Sequence, residues 1–416
     1  MIRVFIFIAF ATVLLIACSQ KEQEISQWRG PNRDGIYNET GLLKEWPEEG
    51  PCLLWSHAGL GYGHSSVAVA NQKVYVTGVK DTISSTGVLF TFDLDGNLLW
   101  KKEYGKDFAL NFHGTRSTPV VVDHLIYIES GMGQLYCLSS ENGDEVWSVD
   151  FIEDFGVDSL IQFGFSESVL IDGEHLYCVP GGEENNVVKL NRFTGNLIWA
   201  SEGYKEQATY NSPILIEHNG QHLVIATTMS SVMGIDAATG EMYWRTEHTQ
   251  QNKIHANTPL YSDGKVTIAT PDPKETSGMV QLQLSDDGKK AEVVWRNKKL
   301  RSFMGGIIKI DTCIYGSSHL RNNWEVLSWN TGETLVQNKD FGGGPVIYAD
   351  GMFYGYAERD GEMALMKACP EKFEVISRFK VPLGTGQHWA HPVIADKKLF
   401  IRHGNALMVY DIAAKA

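Results

Sequence analysis

A glycine turn followed by an apolar run that ends in tryptophan recurs along this chain, and that recurrence limits what it can fold into. The segments FDLDGNLLW, SSENGDEVW, NRFTGNLIW and DAATGEMYW end at Trp100, Trp147, Trp199 and Trp244, at spacings of 47, 52 and 45 residues. Looser copies follow in SDDGKKAEVVW, ending at Trp295, and WNTGETLV, ending at Val336. Each copy is preceded by further strand-like runs, as in STPVVVDHLIYIESGMGQLYCLSSENGDEVW. Four short strands per unit and a period in the forties predict the blades of a β-propeller. The turn glycine takes a backbone conformation that side chains resist, and the bulky residue closing the strand packs between neighbouring sheets.

The innermost strand of each unit, read as the apolar run after a small residue, starts eight times: GHSSVAVA, TRSTPVVV, FSESVLID, TYNSPILI, HANTPLYS, FMGGIIKI, FGGGPVIY and HWAHPVIA. The eighth unit stops at ALMVYDIAAKA without an outermost strand, and GPCLLWSH has the missing pattern near the other end of the chain. The expectation is therefore an all-β, eight-bladed propeller of four-stranded antiparallel blades over 51–416. Its last blade is closed by an N-terminal strand from 51–56, which leaves no open sheet edge between first and last blades.

Composition narrows the class of partner. With 36 Lys and Arg against 50 Asp and Glu, the formal charge of −14 disfavours nucleic acid. Residues 1–17 carry Arg3 and an apolar run from Val4 to Ala17 that is shorter than the ~20 residues of a membrane span. Leu15-Ile16-Ala17-Cys18 resembles a bacterial lipoprotein signal, which implies cleavage before Cys18, lipid on that cysteine, and a tether and lead-in over 18–50. Each buried methylene of an acyl chain contributes ~0.8 kcal/mol, so several chains would hold the protein at a membrane. By the same resemblance the location is the cell envelope, with Ser19 compatible with the outer membrane. Cys52, Cys137, Cys178, Cys313 and Cys369 are odd in number and contain no CxxC, which argues against a zinc ribbon or a disulfide framework.

Residues just before each inner strand should face the axis of the ring. The position preceding the apolar run reads Ser66, Thr118, Ser168, Ser212, Thr258, Gly306, Gly344 and His391, so one bulky residue interrupts a column of small ones. Two residues earlier stand His64, Arg116, Ser166, Tyr210, Ala256, Met304, Gly342 and Trp389, with Glu167, Asn211 and Asn257 between the columns and His255 and His388 one step beyond. Polar and aromatic side chains come from blades one to five and eight, and mostly glycine from six and seven. The expectation is an off-axis recess formed by His64, Arg116, Glu167, Tyr210, Asn211, His255, Asn257, Trp389 and His391, able to stack and hydrogen-bond a small polar ligand or glycan. A mutually satisfied, water-filled channel mouth is the other reading of the same residues. His388 and His391 in QHWAHPV lie three apart on extended chain and turn to opposite faces, which makes the pair a poor metal motif.

The YxxDxxTGxxxW pattern and the segment WRGPNRDGIY, Trp28 to Tyr37, resemble the PQQ-like (pyrroloquinoline-quinone-like) propeller superfamily over residues 28–411. That superfamily includes quinoprotein dehydrogenases, an outer-membrane assembly lipoprotein and relatives without cofactor, so the resemblance implies the fold and leaves activity open. For a dehydrogenase it implies PQQ and calcium, with Glu167 and Asn257 as metal ligands and Arg116 on a quinone carboxylate. It departs where Met304-Gly305 replaces the expected aspartate and where no Cys-Cys pair caps the quinone; Asp311 falls later, inside the strand. The function expected is a membrane-anchored module that binds a ligand or an envelope protein. Loops 105–115 and 271–278 lengthen one rim for such contacts. The alternative is a PQQ-dependent alcohol or sugar dehydrogenase. Gly59-Leu-Gly-Tyr-Gly63 leads into a strand, not a helix, so it is no dinucleotide fingerprint.

Overall fold

A computed structural model describes residues 25–248, 254–271, 278–319 and 321–414. The signal peptide expected over 1–17, the expected lipidation site Cys18, and loop residues 272–277 lie outside the described residues. Eight sheets form eight blades in chain order, from Ala68–Ala70 at the start of blade one to Ala406–Asp411 in blade eight. The inner strands are short, as in Val120–Val122 and Leu170–Asp172, because strands meeting near one axis have little room. Blade eight is completed by Cys52–Ala58, antiparallel to Ala406–Asp411, so the ring closes through the N-terminal strand as the sequence predicts.

The repeated motif has a physical cause in the contact between consecutive blades. The indole of Trp147 covers the turn glycine of the next blade, Gly195, and its Nε1–H donates to Arg192 O at 3.0 Å. Trp199 sits in the same way on Gly240, bonded to Ala237 O at 3.2 Å, and Trp295 on Gly332, bonded to Trp329 O at 3.1 Å. At the closure Trp55 covers Gly96 of blade one and donates to Leu94 O at 3.0 Å, so the borrowed strand carries the motif's tryptophan as well. Glycine and tryptophan therefore recur together because these indoles seat on the following blade's glycine; Trp244 differs, packing on Gly234 of its own blade. Gly195→Ala is expected to cost about 2–4 kcal/mol, since its φ of +73° disfavours a side chain and a Cβ would stand 2.8 Å from the Trp147 ring. Urea denaturation of the variant reads that loss, and an unchanged midpoint would refute this account of the motif.

The register of every outermost strand shifts by one residue just before the motif's closing position. The skipped residues are Leu54, Leu99, Val146, Ile198, Tyr243, Val294, Leu335 and Ile376. Each is a β-bulge on an edge strand, and bulges bend the edge and interrupt the ladder that another chain would extend. The exposed aliphatic side chains along the outer circumference are thus carried on strands poorly suited to pairing.

Two sheets gain a fifth strand from the lead-in. Ile25–Ser26 pairs antiparallel with Val121 and Val122 in blade two, and Ile36–Tyr37 pairs parallel with Tyr348 and Ala349 in blade seven. Both pairings lie beside inner strands, so residues 25–37 run inside the ring. Leu42 and Trp46 follow beneath blades seven and eight, where both are buried with Tyr354, Phe379 and Ile412.

Candidate functional site

Residues 27–35 form a plug across the axis. Trp28 Nε1–H donates to Thr258 Oγ1 in blade five at 2.9 Å. Arg29 donates to Ile307 O in blade six at 2.8 Å, to Asp34 O at 3.0 Å and to His391 Nδ1 in blade eight at 3.3 Å. Arg33 donates to Val169 O at 2.9 Å and to Ser168 O, both in blade three. Ser26 Oγ accepts Val69 N–H of blade one at 2.9 Å. Burial pulls both guanidinium groups down to about 10, still charged at neutral pH, and carbonyl oxygens supply the acceptors that water would otherwise provide. Blade six makes the space: a Cβ on Gly306 would lie 1.8 Å from Arg29 Nη1.

The column of small hydroxyl residues is a hydrogen-bonded chain from blade to blade. Ser66 N–H donates to Thr118 Oγ1 at 3.0 Å, Thr118 N–H to Ser168 Oγ at 2.9 Å, and Ser168 N–H to Ser212 Oγ at 2.9 Å. Ser66 Oγ closes toward blade eight by donating to His391 O at 2.8 Å. His391 fills the gap beyond: its Nε2–H donates to Met304 O at 2.8 Å while Nδ1 accepts from Arg29. Burial and then the Arg29 charge pull its pKa down to about 3, so the ring is neutral at physiological pH.

Above the plug, on the face where the chain enters the inner strands, lies a blind cup of about 370 Å³. Trp28 and His391 floor it, their rings 4.6 Å apart. An aromatic wall runs from Trp389 through Phe112 at 5.3 Å and Phe163 at 6.0 Å to Tyr210 at 5.8 Å. His64 stands 4.9 Å from Trp389, and Arg116 lies beneath loop 105–115, donating to Gly114 O at 2.7 Å and Phe112 O at 2.8 Å. On the far wall are Phe303 and Met304, with His319 stacked on Phe303 at 5.1 Å and its Nδ1 held by Glu358.

Of the residues singled out in the sequence, the structure brings His64, Arg116, Tyr210, Trp389 and His391 to the cup. Four others are buried behind it. Asn257 is an inter-blade staple, its amide donating to Ala269 O and Ser302 O at 2.9 Å each and its Oδ1 accepting Gly306 N–H at 3.0 Å. Asn211 Nδ2 donates to Asn257 O at 3.4 Å, and His255 is enclosed against the His248 ring at 5.2 Å. Burial pulls the His255 pKa down to about 3. Glu167 accepts Val179 N–H at 2.9 Å and gives its own N–H to Glu129; burial pushes both carboxyls up, and for Glu129 the facing charge of Glu167 adds to it. His388 is also outside the cup, stacked on His403 at 3.9 Å.

The calcium and quinone that the resemblance implies do not fit these residues. Asn257 has no lone pair or donor to spare, Glu167 faces the strand behind the wall, and Met304-Gly305 bring no carboxylate. Among the described residues no group of three His, Cys, Asp or Glu converges as a metal site. The sequence reading missed Trp28, Phe112, Phe163, Phe303 and His319. Three of these are phenylalanines in the segments that lead from one blade into the next inner strand, a recurrence visible in FALNFHGT, IQFGFSES and RSFMGG.

Comparison with known proteins agrees with this architecture. The family described as outer membrane protein assembly factor BamB matches residues 85–338, more than half of the chain. The chain belongs to that family. A curated BamB from Salmonella typhimurium is 30% identical over 107 residues, which cover 25% of this chain and 26% of that relative. The matched stretch thus spans about a quarter of the curated relative. Crystallised BamB from Moraxella catarrhalis superposes with a TM-score of 0.61 at 13% identity, covering 88% of this chain and 98% of that one. A quinohemoprotein alcohol dehydrogenase from Pseudomonas putida superposes at 0.57 with 12% identity over 92% of this chain and 79% of that one. At such identities the BamB and dehydrogenase superpositions share a fold.

Proposed function

We propose that this chain is an interaction module of the bacterial cell envelope that serves outer-membrane protein assembly, tethered by lipid on Cys18 after removal of residues 1–17. Membership of the BamB family supports the assembly role. The observation that carries the reading is an exposed apolar rim on the loop at one side of the cup: Leu110 is 72% exposed, Phe112, which lines the cup, 47%, and Tyr62, packed on His113 of that loop, 45%. Apolar side chains grouped at a loop-built rim are suited to engaging a protein partner. The tether supports the same orientation. Cys18 precedes Ile25 by seven residues, at most about 25 Å of extended chain. Ile25 pairs with Val122, the end of the inner strand remote from the cup. A lipid on Cys18 would hold that remote face near the membrane and turn the rim toward the periplasm.

The test is a deletion strain complemented with variants. Loss of the gene is expected to lower the amount of outer-membrane proteins. Leu110→Asp with Phe112→Asp should fail to restore them while the purified variant keeps the wild-type circular dichroism spectrum. Full restoration by that double variant would overturn the rim as the working surface, and an unchanged outer membrane in the deletion strain would overturn the assembly role.

A further inference from the structure

The cup has two chemically different walls. Blades one to four contribute His64, Arg116, Ser166 and Tyr210 beside the aromatic run of Trp389, Phe112 and Phe163, whereas Ile254, Ala256, Phe303 and Met304 make the far side apolar but for His319 stacked on Phe303. No Asp or Glu is among the lining residues, although the whole chain carries a formal charge of −14. Arg116 forms no ion pair among the described residues; its bonds go to the carbonyls of Asn111, Phe112 and Gly114, and the one carboxyl acting on its charge, the buried Asp107, is itself held by Tyr104 and by the N–H groups of Phe108 and Gly131. The hydroxyl of Ser166 is buried without a hydrogen-bond partner among the described residues, and the His64 ring, facing the backbone of Phe112 and His113, makes no full hydrogen bond there. Unmet polar groups cost about 1–3 kcal/mol each, so donors gathered on one wall mark where a ligand's acceptor atoms belong. The Glu358 carboxylate is engaged by His319, a residue of the far wall.

We infer that the cup binds a small metal-free monoanion with a flat apolar body, its acid group between Arg116, His64 and Ser166 and its body against Trp389, Phe303 and Met304. With both Nη2 hydrogens on Asn111 O and Phe112 O, Arg116 keeps single N–H donors on Nε and Nη1 for an acid group, and charge-assisted bonds of this kind are about twice as strong as neutral ones. The aromatic wall supplies area for the body, and the plug beneath excludes a ligand that must pass through the ring. This inference goes beyond the assembly role and does not depend on it.

The probes are 2-naphthoate and its neutral isostere 2-naphthamide, titrated into the purified protein lacking residues 1–24 by calorimetry and by fluorescence of Trp28 and Trp389. The acid is expected to bind one to one with a dissociation constant on the order of 100 micromolar, and at least tenfold more tightly than the amide. Arg116→Gln should erase the preference. Because Arg116 also braces its loop, Ala256→Asp gives an independent arm: it places a repelling charge on the opposite wall and should weaken the acid alone. Leu110→Asp should leave both affinities unchanged, which separates the cup from the rim. Equal affinity for acid and amide, no saturable binding of either, or an intact preference in both cup variants would overturn the inference.

Discussion

Deletion of Cys52–Ala58 is expected to abolish the monomeric fold. The strand supplies the outer edge of blade eight, where Leu407, Met408, Val409 and Tyr410 are now buried to within 3%. Without it, the ladder of Ala406–Asp411 is left as an open, apolar edge, and Gly96 in blade one loses the Trp55 indole that covers it. The ring would be broken at the one junction that joins its ends, so the loss should exceed the about 5–15 kcal/mol that keeps a domain folded. The expected product aggregates and lacks the near-ultraviolet dichroism of packed aromatics. A permuted chain distinguishes loss of closure from loss of the lead-in. Since Cys52 pairs with Asp411, a two-residue turn placed after Asp411 can join directly into 52–58, with the chain beginning at Gly59. That chain should fold as a closed ring without its plug. A soluble, cooperative monomer from the simple deletion would show that blade eight does not need the borrowed strand.

The closure was legible because it rests on counting: eight inner strands, one short final unit, and one unassigned outer-strand pattern near the start. The seating of Trp147 on Gly195 was legible in part, since the pairing of glycine with tryptophan is local in each motif while the contact is between motifs. The cup was harder. Alternation along a strand correctly puts Arg116 and Trp389 toward the axis, but it does not say what fills the axis. Gly305 and Gly306 read as the open side of a recess, whereas the space at Gly306 holds the Arg29 guanidinium, 278 residues from its acceptor Ile307 in the chain. The in-between positions face back into the blades, where Asn257 and Glu167 hold neighbouring backbone. Residue type alone cannot distinguish an asparagine that binds a ligand from one that staples two strands, because both tasks need the same amide.

Arg29 carries the second large effect. Its side chain is buried in a cradle set by Gly35 and Gly306, and it holds Ile307 O, Asp34 O and His391 Nδ1 together. Arg29→Met should cost about 3–5 kcal/mol, because it leaves those acceptors buried without a donor. Arg29→Lys should recover little of it, since one ammonium on a flexible stem cannot address three acceptors in the planar fork that the cradle fits. The damage should extend to the cup floor, because Trp28 is positioned by the same turn and bonded to Thr258. A double-mutant cycle with His391→Phe tests the coupling directly: with the histidine already gone, removing Arg29 should cost less, as one of its three partners is absent. Additive losses would mean that Arg29 and His391 act separately, and the floor of the cup would then have to be held by the backbone of the plug alone.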